Sequence, residues 1–143
     1  MIYTPLIKKA LKIAFAAHKN QVDKSGIPYI FHPYEVAQQM TTEYEICTAL
    51  LHDVMEDTDV TTEDLRAAGF PENILEALRL LTHDETVPYE VYIQAIKTNP
   101  LARAVKIADL THNSNPNRLD IIDEKAEARF QKYAEAKKYL CEK

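Results

Sequence analysis

Four side chains in this sequence are of the types that hold transition metals: His32, the adjacent pair His52-Asp53, and Asp109. Each lies in or beside an apolar helical stretch, where an ionisable group is costly to bury unless something compensates it. A divalent cation compensates directly. Two imidazoles and two carboxylates suit manganese, iron or zinc and leave positions open for water and substrate. Singly, none of these residues is diagnostic. A His-Asp dipeptide is common, and His32 between Phe31 and Pro33 reads as a capped loop histidine. The combination carries the weight. His52-Asp53 follows the apolar run Ala49-Leu50-Leu51 at what the pattern makes a mid-helix position. Glu56-Asp57 comes one turn later, and Asp109 closes the run Val105-Lys106-Ile107-Ala108-Asp109.

Helical spacing relates these groups. Residues four apart share a helix face, so Glu56 lies over His52 and Asp57 over Asp53. Glu56 and Asp57 are the catalytic candidates, placed to orient the attacking water and take its proton. Taken alone, the two acids read as a solvated helix end. Asp109 and Asn113 are also four apart, so Asn113 can reach a substrate hydroxyl or phosphate while Asp109 ligates; His112 lies beside them. Lys24 sits in the loop before His32, and Arg129 and Tyr133 are four apart near the C-terminal end. A phosphate-bearing substrate needs cations and a stacking surface, and these three supply both, although each alone reads as a solvated surface residue.

The elements that must position them are helices. Only two glycines occur, prolines are spread singly, and no long alternating pattern predicts strands. Thr4 and Pro5 open a helix over residues 4–20, and a loop follows from Gln21 to Pro33. A short helix is expected over 34–40, and a central one runs from Thr41, Thr42 or Glu43 through Met55. Thr61 with Asp64 forms a capping-box variant for 62–68, and Gly69 stops it. Further helices are expected over 72–82, 89–97, 101–113 and 122–141. The 143 residues suit one all-α domain with no internal repeat or linker. The net charge of −5 does not favour nucleic acid as a partner. No apolar run reaches a membrane span, and no signal peptide is visible. Cys47 and Cys141 read as free thiols, so the expected compartment is the cytoplasm.

Three segments together resemble the hydrolase domain of RelA/SpoT enzymes in the HD superfamily, above all the small stand-alone alarmone hydrolases. They are Lys24-Ser-Gly-Ile-Pro-Tyr-Ile-Phe-His-Pro33, Ala49-Leu-Leu-His-Asp-Val-Met-Glu-Asp-Thr58 and Val105-Lys-Ile-Ala-Asp-Leu-Thr-His-Asn113, with Ala17-His18 and Gln21 upstream. The resemblance runs from about residue 8 to about residue 140. It implies a compact HD-type helical bundle with His32, His52, Asp53 and Asp109 on a metal, usually manganese. It implies that Glu56 and Asp57 activate water, and that Lys24, Tyr29, Asn113, Arg129 and Tyr133 contact the nucleotide. The implied reaction removes the 3′-pyrophosphate from ppGpp or pppGpp. Synthesis of the alarmone is not expected from a chain of this length.

The sequence departs from that pattern at Asp23, Tyr89 and Leu110, where the family has basic residues. Asp23 and Tyr89 are expected to remove positive charge near the substrate phosphates. A different nucleotide substrate is therefore the alternative within enzymes, and a nucleotide sensor without turnover is the alternative outside them. Oligomeric state is left open, a homo-oligomer included.

Overall fold

A computed structural model describes all residues 1–143 as nine α-helices and one 3₁₀ turn, with no strand beyond a single Val22–Pro28 bridge. Helix α1 (Pro5–Ala17) is capped by the Thr4 hydroxyl, which accepts from Ile7 N, and it buries Ile7, Ala10 and Ala14 along one face. A loop returns the chain to α2 (Phe31–Gln38). Asp23 Oδ1 accepts from Ser25 N at 2.9 Å and from Ile27 N at 3.0 Å, and Gly26 takes φ +80°, a left-handed conformation open to glycine.

Helix α3 (Glu43–Leu51) begins with a full capping box between Thr42 and Glu45. Every residue from Ile46 to Leu51 is buried, and α3 packs against α1, α2, α6 and α8. It is the central helix that its near-continuous apolar sequence predicts. It does not, however, run through Met55. It ends at Leu51, and a separate turn, α4 (Val54–Asp57), follows. The cause is local. His52 Nδ1 takes Ala49 O at 2.5 Å, so the carbonyl that would accept from Asp53 N in a continuous helix is occupied by a side chain. His52-Asp53 is therefore a helix junction, not a mid-helix pair.

Helix α5 (Thr62–Ala67) carries the Thr61–Asp64 capping box and stops at Gly69, φ +101°. Helices α6 (Glu72–Leu81) and α7 (Tyr89–Lys97) follow. Helix α8 (Pro100–Asn113) is capped by Asn99 and crosses the core against α2, α3, α6 and α7. A 3₁₀ turn (Pro116–Arg118), unexpected from the sequence, precedes α9 (Glu124–Cys141), which lies along α8 and α7. The second expectation to be corrected concerns His32 and Pro33. They are not in the loop but in the first turn of α2, which starts at Phe31, and both are buried.

Two substitutions separate the contributions to this scaffold. Leu50→Ala removes a fully buried side chain of α3 and should cost about 2–5 kcal/mol. Thr42→Ala removes only its cap and should cost about 1 kcal/mol. Urea unfolding at constant m-value would rank them, and equal midpoints for the two variants would contradict the central placing of α3.

Candidate functional site

The ends of α2 and α3 and the C-terminal half of α8 converge at one point. His32 comes from the first turn of α2, His52 from the α3–α4 junction and Asp109 from α8. All three are buried, and one donor atom from each lies within 4.8 Å of the others. His32 Nε2 is 2.8 Å and His52 Nε2 is 3.3 Å from Asp109 Oδ1. Asp53 joins them through Oδ2, at 3.1 Å from His52 Nε2 and 3.7 Å from His32 Nε2. Two nitrogens and two carboxylate oxygens thus converge in the pattern that a borderline-soft divalent cation requires.

The surrounding contacts orient these donors. With Nδ1 donating to Ala49 O, the lone pair of His52 belongs to Nε2, the atom that faces the cluster. His32 Nδ1 is 2.7 Å from His112 Nδ1, and the two rings stack. One of those nitrogens must donate and the other accept. Burial, the positive charge of Arg118 and the nearby His32 hold His112 down at about 4, so it is neutral and can accept from His32. That leaves His32 Nε2 free for a cation. The Tyr29 hydroxyl donates to Asp53 Oδ2 at 2.6 Å. Lys106 Nζ binds Asp109 Oδ2 at 2.9 Å, leaving Oδ1 turned toward the imidazoles.

The electrostatics of the cluster are set by burial opposed by pairing. Burial works against charge on His52, Asp53 and Asp109, yet these groups overcome it by pairing. Burial of His52 is outweighed by Asp53 and Asp109, which raise its pKa well above the ordinary histidine value. Burial of Asp53 is outweighed by His52 and His32, which bring it down to about 2. Lys106 and the two imidazoles hold Asp109 far below the usual carboxylate range despite its burial.

Glu56 and Asp57 stand at the exposed edge of the site. Glu56 Oε1 accepts from His83 N at 2.9 Å, and Asp57 Oδ2 accepts from Gln21 Nε2 at 3.3 Å. Gln21 is itself held by His18 Nδ1 at 2.9 Å, and His18 is buried against the Tyr29 ring. Partial burial raises the pKa of both acids, and the charge on Asp53 raises them further.

Beside the cluster lies a cleft of about 320 Å³. Lys24, Tyr29, Asn113, Arg129 and Tyr133, the five residues expected to contact substrate, all line it. They come from the 18–30 loop, the end of α8 and the first ten residues of α9. Asn113 is already engaged: Nδ2 donates to Asp109 Oδ1 at 3.0 Å, and Oδ1 accepts from Arg118 at 2.9 Å. A larger groove of about 470 Å³ between α7 and α9 contains none of the cluster residues.

Several contacting side chains escaped the reading of spacing. Lys106 lies three residues before Asp109, an i,i+3 ion-pair spacing that a positive charge inside an apolar run could have revealed. His18 and Gln21 belong to the resembling segments but had no role. Arg118 lies in an Asn- and Pro-rich stretch whose turn carries no periodic signal. Asp23 does not simply subtract positive charge, because its carboxylate is 3.7 Å from the Arg118 guanidinium. Tyr89 keeps a buried hydroxyl with no hydrogen-bond partner, and its ring lies under Lys132 Nζ at 3.9 Å.

Comparison with known proteins agrees with this geometry. The HD domain family matches residues 10–88, more than half of the chain. Mouse guanosine-3′,5′-bis(diphosphate) 3′-pyrophosphohydrolase MESH1 is 36% identical over 114 residues, covering 69% of this chain and 63% of that protein. The human MESH1 protein is 34% identical over 137 residues, covering 85% and 75%. The bifunctional (p)ppGpp synthase/hydrolase SpoT of Escherichia coli K12 is 33% identical over 121 residues, 75% of this chain but 17% of that one. The chain thus spans just under two thirds of the mouse relative and a small part of SpoT. In fold it is similar to a solved structure of a metazoan SpoT orthologue described as hydrolysing ppGpp, with TM-score 0.78, 22% identity and coverage of 98% and 87%. Sequence family, fold and donor cluster agree: the chain belongs to the HD-domain family, alongside the MESH1 proteins.

Proposed function

We propose that this chain is a metal-dependent phosphohydrolase that removes the 3′-pyrophosphate of ppGpp or pppGpp, releasing GDP or GTP and pyrophosphate. One observation carries the reading. A two-histidine, two-aspartate cluster opens beside a cleft walled by Lys24, Asn113, Arg129 and Tyr133. Relatives more than 30% identical that are named as guanosine-3′,5′-bis(diphosphate) 3′-pyrophosphohydrolases support the same substrate. His32, His52, Asp53 and Asp109 would hold the ion, with manganese the first choice and iron or zinc the alternatives. The 143 residues act as one catalytic domain. No helix is long and apolar enough to cross a membrane. Cys47 and Cys141 are both free thiols, which fits a reducing compartment, and we place the chain in the cytoplasm. A homo-oligomer is compatible with this reading.

A divalent ion in this cluster supplies Lewis acidity to a phosphoryl oxygen and acidifies water. The chain's own residues do the rest. Glu56, anchored by His83 N, and Asp57, anchored by Gln21, hold the attacking water and receive its proton. Tyr29 and Lys106 fix the carboxylates of Asp53 and Asp109. Lys24 and Arg129 bind phosphate, and Tyr133 offers a ring for the base. A second reading, another nucleotide, draws on Asp23 and Tyr89, which stand where the resembling family has basic residues.

Four outcomes test the proposal. Purified protein with manganese should release pyrophosphate from ppGpp, and Asp53→Ala should not. Metal retention by the parent with no release would move the reaction to another nucleotide. His52→Ala and Asp109→Asn should each lose the bound ion in elemental analysis. Because Asp53 and Asp109 raise His52 above the ordinary histidine value, an ion binding at its Nε2 competes with a proton. Metal affinity should therefore rise with pH, and calorimetry in buffers of differing ionisation enthalpy should show proton release. Finally, a base must be deprotonated to act, and burial raises Glu56 and Asp57. The rate should fall as pH drops through those raised values. Glu56→Gln should lower kcat by roughly 10²–10⁴-fold and weaken that acid limb.

A further inference from the structure

Arg118 has no role in the reading above, yet it stands at a junction. Its side chain lines the cleft that holds Lys24 and Arg129, and also a second cavity of about 530 Å³ that reaches His32 and His112. Asp23 and Tyr29 line both cavities as well, so these three side chains form the wall between them. Arg118 is about one fifth exposed and is already anchored. Its guanidinium donates to Asn113 Oδ1 at 2.9 Å and to His112 O at 3.4 Å, and lies 3.7 Å from Asp23 Oδ2. Ser25 Oγ donates to Arg118 O at 2.6 Å, which fixes the turn against the loop.

The contact with Asp23 is long for a guanidinium–carboxylate pair, which closes to hydrogen-bond distance when it is fully formed. Asp23 Oδ1 is spent on two backbone N–H groups, so Oδ2 alone faces the guanidinium. An arginine held this loosely by an acid, on the wall of a cleft with two other cations, is poised to exchange that acid for a stronger oxyanion. Through Asn113 it is also tied to Asp109, which sets its distance from the donor cluster.

We infer that Arg118 binds the phosphate group of the nucleotide that is not cleaved, and that Asp23 keeps its side chain in place until that phosphate arrives. The inference rests on the nucleotide hydrolase reading. The substrate class is a nucleotide with two separate phosphate arms, one at the donor cluster and one at Arg118. Asp23 is then a positioning residue and a competitor, not a ligand.

The test is calorimetric binding of GDP and of uncharged guanosine to the manganese-loaded protein, which needs no turnover. Arg118→Ala should weaken GDP binding by roughly tenfold or more while leaving guanosine unchanged. Arg118→Lys, which keeps the charge and loses the planar fork, should recover part of that loss and serves if the alanine variant does not fold. Asp23→Asn keeps the acceptor for the loop and removes the competing charge, so it should tighten GDP binding a few-fold. The inference is overturned if Arg118→Ala leaves GDP binding unchanged, if GDP and guanosine weaken alike, if the parent binds GDP no better than guanosine, or if Asp23→Asn weakens GDP as much as Arg118→Ala. A parent that binds GDP through Arg118 yet leaves ppGpp intact would sink the reaction and keep the phosphate site.

Discussion

The structure depends on how two aspartates and two histidines are held together in the low-dielectric interior. Burying unpaired charge there is strongly unfavourable, so the cluster persists only if its charges balance. His52 and Lys106 favour the charged forms of Asp53 and Asp109, and the two carboxylates favour the charged forms of His52 and Lys106 in turn. The same carboxylates and imidazoles that balance one another in the core are the donors that a divalent ion would share.

Three backbone features place those groups. The α3 helix must stop at Leu51, because His52 spends Ala49 O on its own ring and so turns Nε2 toward Asp109. Helix α8 must not stop there. Lys106, Asp109 and Asn113 fall on successive turns of one face, and each contacts the next. The 18–30 loop must close tightly, because Tyr29 at its end reaches Asp53. Its own turn, built on Asp23 and Gly26, provides that closure. A change in any one of them would displace a donor without removing it.

Much of this was legible in the sequence, for identifiable reasons. The helices are signalled by caps that act locally, such as Thr4, Thr42 and Thr61, and by apolar faces whose period is a property of the chain itself. The grouping of the metal and cleft candidates was legible because several of them fall at helical spacings and the rest lie in segments resembling one family. What was not legible depends on contacts distant in sequence or on competition for a backbone group. Periodicity continues through His52, so the α3 break, made by a side-chain hydrogen bond, has no periodic trace. The early start of α2 buries His32, which read as a loop residue. The sign of Asp23 was plain, but its partner Arg118 lies 95 positions away, and only the fold brings them together.

The two halves of the site are anchored unequally, and this bears on what can vary. The metal side rests on α3 and α8, where His52 and Asp109 sit among fully buried residues. The cleft wall rests on the loop, the 3₁₀ turn and the first ten residues of α9, of which only Ala126 is buried, whereas Ala136 and Leu140 secure the rest of that helix. Substitution on that wall changes charge and shape without opening the core. This is how a chain with an acid at position 23 keeps its donor cluster. The molecule as a whole carries −5, yet its cleft sets Lys24, Arg118 and Arg129 against the single acid Asp23. A long polyanion meets the repulsive surface, while a small one needs only the local field of the cleft. The positive character of the cleft thus follows from where the basic residues lie, not from how many the chain carries.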